Sequence, residues 1–169
     1  MTSLVDITID NFDRFQDDIL EIEKSSFLSP WSRNVFREEL TRQVSHLWAL
    51  IIDGEVSGYI CFWMCAGEIH VMNIAVHPKR RRQGLGRYLL TKMLEEGNSK
   101  GVKAAWLEVR PSNFIARVLY QKAGFTEADR RPRYYRDTNE DAIVMSLSIF
   151  QDESNAVQVE QWPRFQHMR

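Results

Sequence analysis

The chain lacks most of the features that would assign it to a class directly. It has only two cysteines, Cys61 and Cys65. They lie in a segment that reads as extended, where a four-residue separation is roughly 13 Å, too far for a mutual disulfide without a sharp turn. Its four histidines, His46, His70, His77 and His167, show no ligand spacing with one another or with the cysteines, so no metal is expected. No apolar run approaches the length of a membrane span. The opening Met1-Thr2-Ser3-Leu4-Val5-Asp6 is acidic and strand-like, unlike a signal peptide. Basic and acidic side chains number 22 and 23, which leaves no charge excess for generic nucleic-acid binding. Repeats, low-complexity tracts and long linkers are missing too. These absences predict a reduced, cytoplasmic protein, and the chain length predicts one domain, residues 1–150; a monomer or weak dimer is the expected assembly.

What is present is a regular alternation of short elements. Val5, Ile7 and Ile9 alternate with polar residues, as in an edge strand. Asp10 or Asn11 caps a helix whose Phe12, Phe15, Ile19 and Ile22 share one face. Pro30-Trp31-Ser32 interrupts it, and Ser32 caps a second helix through Val35, Phe36 and Leu40. Strands are predicted over 47–52 and 56–64, joined by the hairpin signal Asp53-Gly54, and over 68–76 after Ala66-Gly67. A helix over 86–99 has Tyr88, Leu89, Leu90, Met93 and Leu94 on its buried face. A strand over 103–109, a helix over 113–123, a strand over 125–130, a loop and a last strand over 141–149 complete the domain. The polar tail, residues 151–169, with its scatter of Val157, Val159, Trp162 and Phe165, is expected to be loosely ordered or loosely docked.

The most informative stretch is the strand ending in Asn73-Ile74-Ala75-Val76-His77-Pro78, followed by Arg81-Arg82-Gln83-Gly84-Leu85-Gly86-Arg87 at the start of a helix. A basic, glycine-punctuated turn at a helix N-terminus is suited to a polyanion: the first N–H groups point outward, the helix dipole adds positive potential, and glycine admits phosphate oxygens close to the backbone. The turn has neither the Gly-Lys-Ser/Thr ending of a P-loop nor the third glycine and following acid of a dinucleotide site.

Arg81-x-x-Gly84-x-Gly86 after an apolar strand resembles the pyrophosphate-binding signature of the GNAT superfamily of acyl-CoA-dependent N-acetyltransferases. A second block, Trp106-Leu107-Glu108-Val109-Arg110 followed by Asn113, Ala116, Tyr120, Gly124 and Phe125, falls where that superfamily has its next strand and helix. With Arg130-Arg131-Pro132-Arg133-Tyr134-Tyr135 and Asp141-Ala142-Ile143-Val144-Met145, the match resembles the GNAT branch that acetylates the N-terminal alanine of a small-subunit ribosomal protein. It runs from about residue 7 to 149 and is weakest before 68.

The resemblance implies a mixed α/β GNAT fold: a mostly antiparallel central sheet flanked by helices, with a splay between the fourth and fifth strands. Acetyl-CoA is the implied co-substrate. Its pantetheine arm would lie in the splay against the backbone of Ile74, Ala75 and Val76, and its diphosphate at Arg82, Gln83, Gly84, Leu85, Gly86 and Arg87. Lys79 and Arg80 are either a solvated face or a contact for the 3′-phosphate. Asn113 either bonds the pantetheine region or caps its helix.

Glu108 is implied as general base and Tyr120 as the acid that protonates the departing thiolate. Glu108 is otherwise a structural carboxylate tied to Arg110 or another cation. An α-amine, with a pKa of about 7.7–8.0, asks far less of one carboxylate than a lysine near about 10.4. Pro30, Trp31, Tyr134 and Tyr135 are implied to form the acceptor site, with Ser29 standing where an aromatic often precedes the Pro-Trp pair. The expected partner is the N-terminus of a ribosomal or other protein, with no direct nucleic-acid or membrane contact. The alternatives are acetylation of a small amine or protein lysine, and a non-catalytic acyl-CoA-binding module.

Overall fold

The computed structural model describes residues 1–149; the expectation for the 151–169 tail lies outside the described residues. Strand β1 (Thr2–Ile7) leads to helices α1 (Phe12–Ser26) and α2 (Arg33–Leu40), then β2 (Ser45–Ile52), β3 (Glu55–Cys65) and β4 (Glu68–Val76). A 3-10 turn (Pro78–Arg80) precedes α3 (Leu85–Ser99), β5 (Ala104–Val109), α4 (Phe114–Gln121), β6 (Thr126–Tyr135) and β7 (Glu140–Ser148). The strands form one seven-stranded sheet in the order β1-β2-β3-β4-β5-β7-β6. Every neighbouring pair is antiparallel except β4 and β5.

That parallel pair is the important irregularity. It pairs only Glu68–His70 with Ala104–Trp106, although β4 continues to Val76 and β5 to Val109. Beyond His70 and Trp106 the two strands part, which is the expected splay. On its other edge β4 carries a bulge: Cys61 pairs with Asn73 but Phe62 with Val71, so Met72 is the extra residue. The bulge switches the strand's facing. Ile69, Val71 and Ile74 reach the core beneath α3 and α4, while Ala75, with Met72 packed alongside, reaches the core beneath α1 and α2.

The helices cover the sheet on both faces. Phe12, Ile19 and Ile22 of α1 are fully buried on one side, and Leu89, Leu90, Met93 and Leu94 of α3 on the other. Tyr88, predicted to be buried with them, is instead 36% exposed. Ser32 caps α2 by accepting from the Val35 N–H. Asn11 occupies the N-cap of α1 without a capping bond; its side chain instead accepts from the Thr8 N–H and donates to the Asp6 carbonyl.

The larger correction concerns β6, which runs to Tyr135 and not into a loop after Arg130. Arg131 pairs with Ala142 and Tyr135 with Glu140, with irregular register between them. Pro132 is tolerated there because β6 is the sheet edge.

Candidate active site

Ser57 accepts from the His77 N–H, so the pairing of 59 with 75 and 61 with 73 directs the backbone groups of those β4 residues toward β3. The intervening Ile74 and Val76 aim theirs toward the splay. This edge is suited to pairing with the amides of an extended ligand. The Val76 carbonyl is held by Arg81 Nε at 3.0 Å, and the same guanidinium donates to Ser26 Oγ (3.0 Å) and the Ser25 carbonyl (3.3 Å). Arg81, the first residue of the signature, thus ties the phosphate turn to β4 and to the end of α1.

The turn is shaped by two left-handed residues, Arg82 (φ 61°) and Gly84 (φ 77°), which curl successive N–H groups into a concavity. Gly84 is the N-cap of α3. The first helical bond is from the Tyr88 N–H to the Gly84 carbonyl, so the N–H groups of Leu85, Gly86 and Arg87 have no acceptor within the helix. No acidic residue occupies the first turn, and the positive end of the dipole is left for a ligand. A Cβ on Gly84 would meet no protein atom within 4 Å: the space above it is open. Arg82, Gln83 and Arg87 are exposed around it. The residues fit a diphosphate.

Asn113 caps α4 by accepting from the Ala116 N–H at 3.2 Å. Ala116 and Tyr120 follow on one helical face and are both buried, Tyr120 completely, within the α3/α4-side core.

Glu108 lies on the other side. Ala105, Leu107 and Val109 enter the α3/α4 core, so alternation turns Glu108 to the α1/α2 face. Its side chain is 16% exposed, and its partner is Arg131, with Oε1 2.9 Å from Nη1. Burial raises the Glu108 pKa above the ordinary carboxylate value, opposed chiefly by the Arg131 guanidinium and to a lesser degree by His70. Glu108 and Tyr120 thus belong to opposite faces of the sheet.

The residues predicted to meet the acceptor are brought together unevenly. Trp31 and Tyr135 belong to one buried cluster and are 3% and 1% exposed, whereas Tyr134 is 40% exposed with its ring edge-on to Tyr135 at 5.2 Å. Pro30 is exposed beside Trp31. The two loops are bridged by Ser29 Oγ, which donates to Asp137 Oδ2 at 2.8 Å.

Two charged residues organise this region: Arg110, weighed from the sequence only as a possible partner of Glu108, and Glu23, for which the sequence suggested no role. Arg110, 2% exposed, stacks 4.0 Å over the Tyr135 ring and donates to Thr138 Oγ1 (2.6 Å) and Asp137 Oδ2 (2.7 Å). Bonding to Arg110 outweighs desolvation and, with the Ser29 bond, holds the Asp137 carboxyl down to about 2. Glu23, completely buried, accepts from the Trp31 N–H (2.6 Å), Asn73 Nδ2 (2.9 Å) and the Tyr59 hydroxyl, joining the acceptor loop to the β4 bulge. Its signal was its spacing: Glu23 lies four residues after Ile19, on the apolar face of α1. Among the described residues no cluster of three His, Cys, Asp or Glu could hold a metal ion, and no helix is long and apolar enough to cross a membrane.

The sequence pattern of the acetyltransferase (GNAT) family matches residues 16–125. A protein of Escherichia coli (strain K12) named ribosomal protein bS18-alanine N-acetyltransferase is 38% identical over 130 residues, covering 76% of this chain and 87% of that protein. The crystal structure of the ribosomal-protein-S18-alanine N-acetyltransferase from Escherichia coli matches with a TM-score of 0.80 at 33% identity, covering 92% of this chain and 99% of that one. A GNAT family acetyltransferase from Elizabethkingia anophelis, solved with acetyl-CoA bound, shares the fold with a TM-score of 0.71 at 21% identity, covering 88% and 98%.

Proposed function

The chain belongs to the acetyltransferase (GNAT) family, and from that premise we propose that it transfers the acetyl group of acetyl-CoA to the N-terminal alanine of ribosomal protein bS18. The reaction takes place in the cytoplasm, where ribosomal proteins are made, with the enzyme acting as a monomer or weak dimer and without direct contact to nucleic acid. Acetyl-CoA supplies the activated thioester. The backbone of Ile74 and Val76 and the turn from Arg82 to Arg87 hold it, with the amide of Asn113 beside them. The exposed Pro30 and Tyr134 form the acceptor wall, backed by the buried Trp31 and Tyr135.

The acceptor's α-ammonium must lose a proton before it attacks. Glu108 takes that proton through a water, and its raised pKa brings it nearer to the amine it serves. The new N–C bond forms as the C–S bond breaks, and the Tyr120 hydroxyl gives its proton to the thiolate. N–H groups along the splay edge of β4 are placed to stabilise the oxyanion.

The observation that supports this reading is the position of Glu108: one largely desolvated carboxylate on β5 beyond the last β4–β5 pair, on the sheet face opposite Tyr120, and linked through Arg131 to the Tyr134 ring. A single base of this kind is adequate for an α-amine and weak for a lysine. The test is acetyl-CoA turnover against short peptides differing in their first three residues, beside a lysine peptide blocked at its N-terminus. Turnover of Ala-starting peptides alone is expected. Preferential turnover of the blocked lysine peptide would overturn the proposal.

A further inference from the structure

Arg131 has no part in the reaction as set out above, yet it is the group that holds the proposed base. Glu108 on β5 and Arg131 on β6 are separated by β7, a gap of two strand spacings or about 9.5 Å. The register shows how it is crossed. Glu108 pairs with Val144 and Arg131 with Ala142, so the guanidinium reaches its partner over one small and one β-branched apolar residue. It lies 5.6 Å from the centre of the Tyr134 ring, between the exposed aromatic of the acceptor wall and the carboxylate.

We infer that Arg131 is a positioning residue that sets the proton affinity of Glu108 and aims its carboxylate, an inference that rests on Glu108 being the base. Between two exposed groups such an ion pair would do little. Here one partner is 16% exposed and the other 53%, so the charge acts on a carboxylate that water reaches poorly. The charges acting on Glu108 are Arg131 from β6 and His70 from β4; its β7 partner, Val144, is apolar. His70 is itself bonded to Glu68 at 2.9 Å.

The sign follows from the chemistry of the step. Glu108 is ready to accept a proton only when ionised, and burial alone would leave it protonated at higher pH. Arg131 opposes this, extending the working range of the enzyme toward acid. A residue that merely held β6 in place would affect the rate equally at every pH.

The experiment compares the full chain with Arg131→Gln, Arg131→Lys and Glu108→Gln. The Glu108 carboxyl is followed by 13C NMR against pH, assigned by its loss in Glu108→Gln, and kcat is measured over the same range with an Ala-starting peptide. In Arg131→Gln the carboxyl midpoint should rise by about 0.5–1 unit, the lower end of what a neighbouring opposite charge exerts, because the arginine is half-exposed. The acidic limb of kcat should move with it, giving about a three- to tenfold loss on that limb and little above it. Arg131→Lys should restore both. An unmoved midpoint in Arg131→Gln, or an equal loss at all pH values that lysine does not rescue, would overturn the inference. Failure of the underlying reading looks different: Glu108→Gln would keep the acidic limb of the unaltered enzyme at its original midpoint, without moving it up to the amine's own titration, while the NMR midpoint still shifted in Arg131→Gln. In that case the pair is coupled but is not the catalytic base.

Discussion

Replacing Gly84 by glutamate separates the stability of the phosphate turn from its function. The backbone at Gly84 is left-handed, φ 77°, and a side chain there costs about 1–2 kcal/mol of strain. There is no steric term to add, because a Cβ would find nothing within 4 Å. A carboxylate at a helix N-terminus returns about 0.3–1 kcal/mol through the dipole, so the net loss of stability is about 1 kcal/mol. For a domain of this size that lowers Tm by about 2–4 °C, and the fold survives. Binding suffers far more, since the new carboxylate takes the space and the N–H groups that a diphosphate would use and repels it. The dissociation constant for acetyl-CoA should rise more than about tenfold, or about 1.4 kcal/mol. Gly86→Ala provides the contrast. Its Cβ would lie 3.4 Å from Leu119 Cδ2 and 3.9 Å from Val76 Cγ2, ordinary contacts in a helical position that favours alanine, so it should fold at least as stably. Isothermal titration calorimetry beside thermal melts measures both quantities. An unchanged affinity in Gly84→Glu would refute the assignment of the turn.

Three further outcomes are expected. Glu108→Gln should lower kcat most at low pH and be partly rescued as pH rises through the amine's own titration near about 7.7–8.0; a pH-independent defect in stopped-time assays would indicate positioning instead. Tyr134→Ala should raise KM for the peptide about two- to tenfold, as for one lost contact of about 0.5–1.5 kcal/mol, with the acetyl-CoA dissociation constant unchanged; a loss confined to the cofactor would place the acceptor on the wrong face. Asp137, whose carboxyl is held down to about 2 in the folded protein, contributes stability that is fully present above the unfolded carboxylate value near about 3.9 and disappears as pH falls toward about 2; thermal melts of Asp137→Asn should lose this part of the acid dependence.

The order of elements was legible because each core face repeats at its own period, as in Phe12, Ile19 and Ile22 on α1 or the alternation along β5. What escaped was set by neighbours distant in sequence. From sequence β6 stops at Arg130, because a proline and a run of arginines have no alternation, and pairing with β7 carries it on to Tyr135. The splay has no signature in periodicity; it arises where β4 and β5 stop pairing after His70 and Trp106, and it was expected from the family resemblance. Glu108 was expected at the site from that same resemblance, with Arg110 or another cation as its possible partner; the ion pair it makes is with Arg131. Arg110 points into the acceptor region, where it meets Asp137 and the Tyr135 ring. Pairings across two strands cannot be read from spacing along one.

The most direct test of the proposed reaction is to locate the transferred group. Bacterial protein bS18 lacking its N-terminal modification is incubated with the enzyme and acetyl-CoA, and the product is fragmented in a mass spectrometer. The account predicts one added acetyl group, on the α-amine of the N-terminal alanine, and none after Glu108→Gln at low pH. Acetyl groups on lysine side chains with a free N-terminus would contradict it.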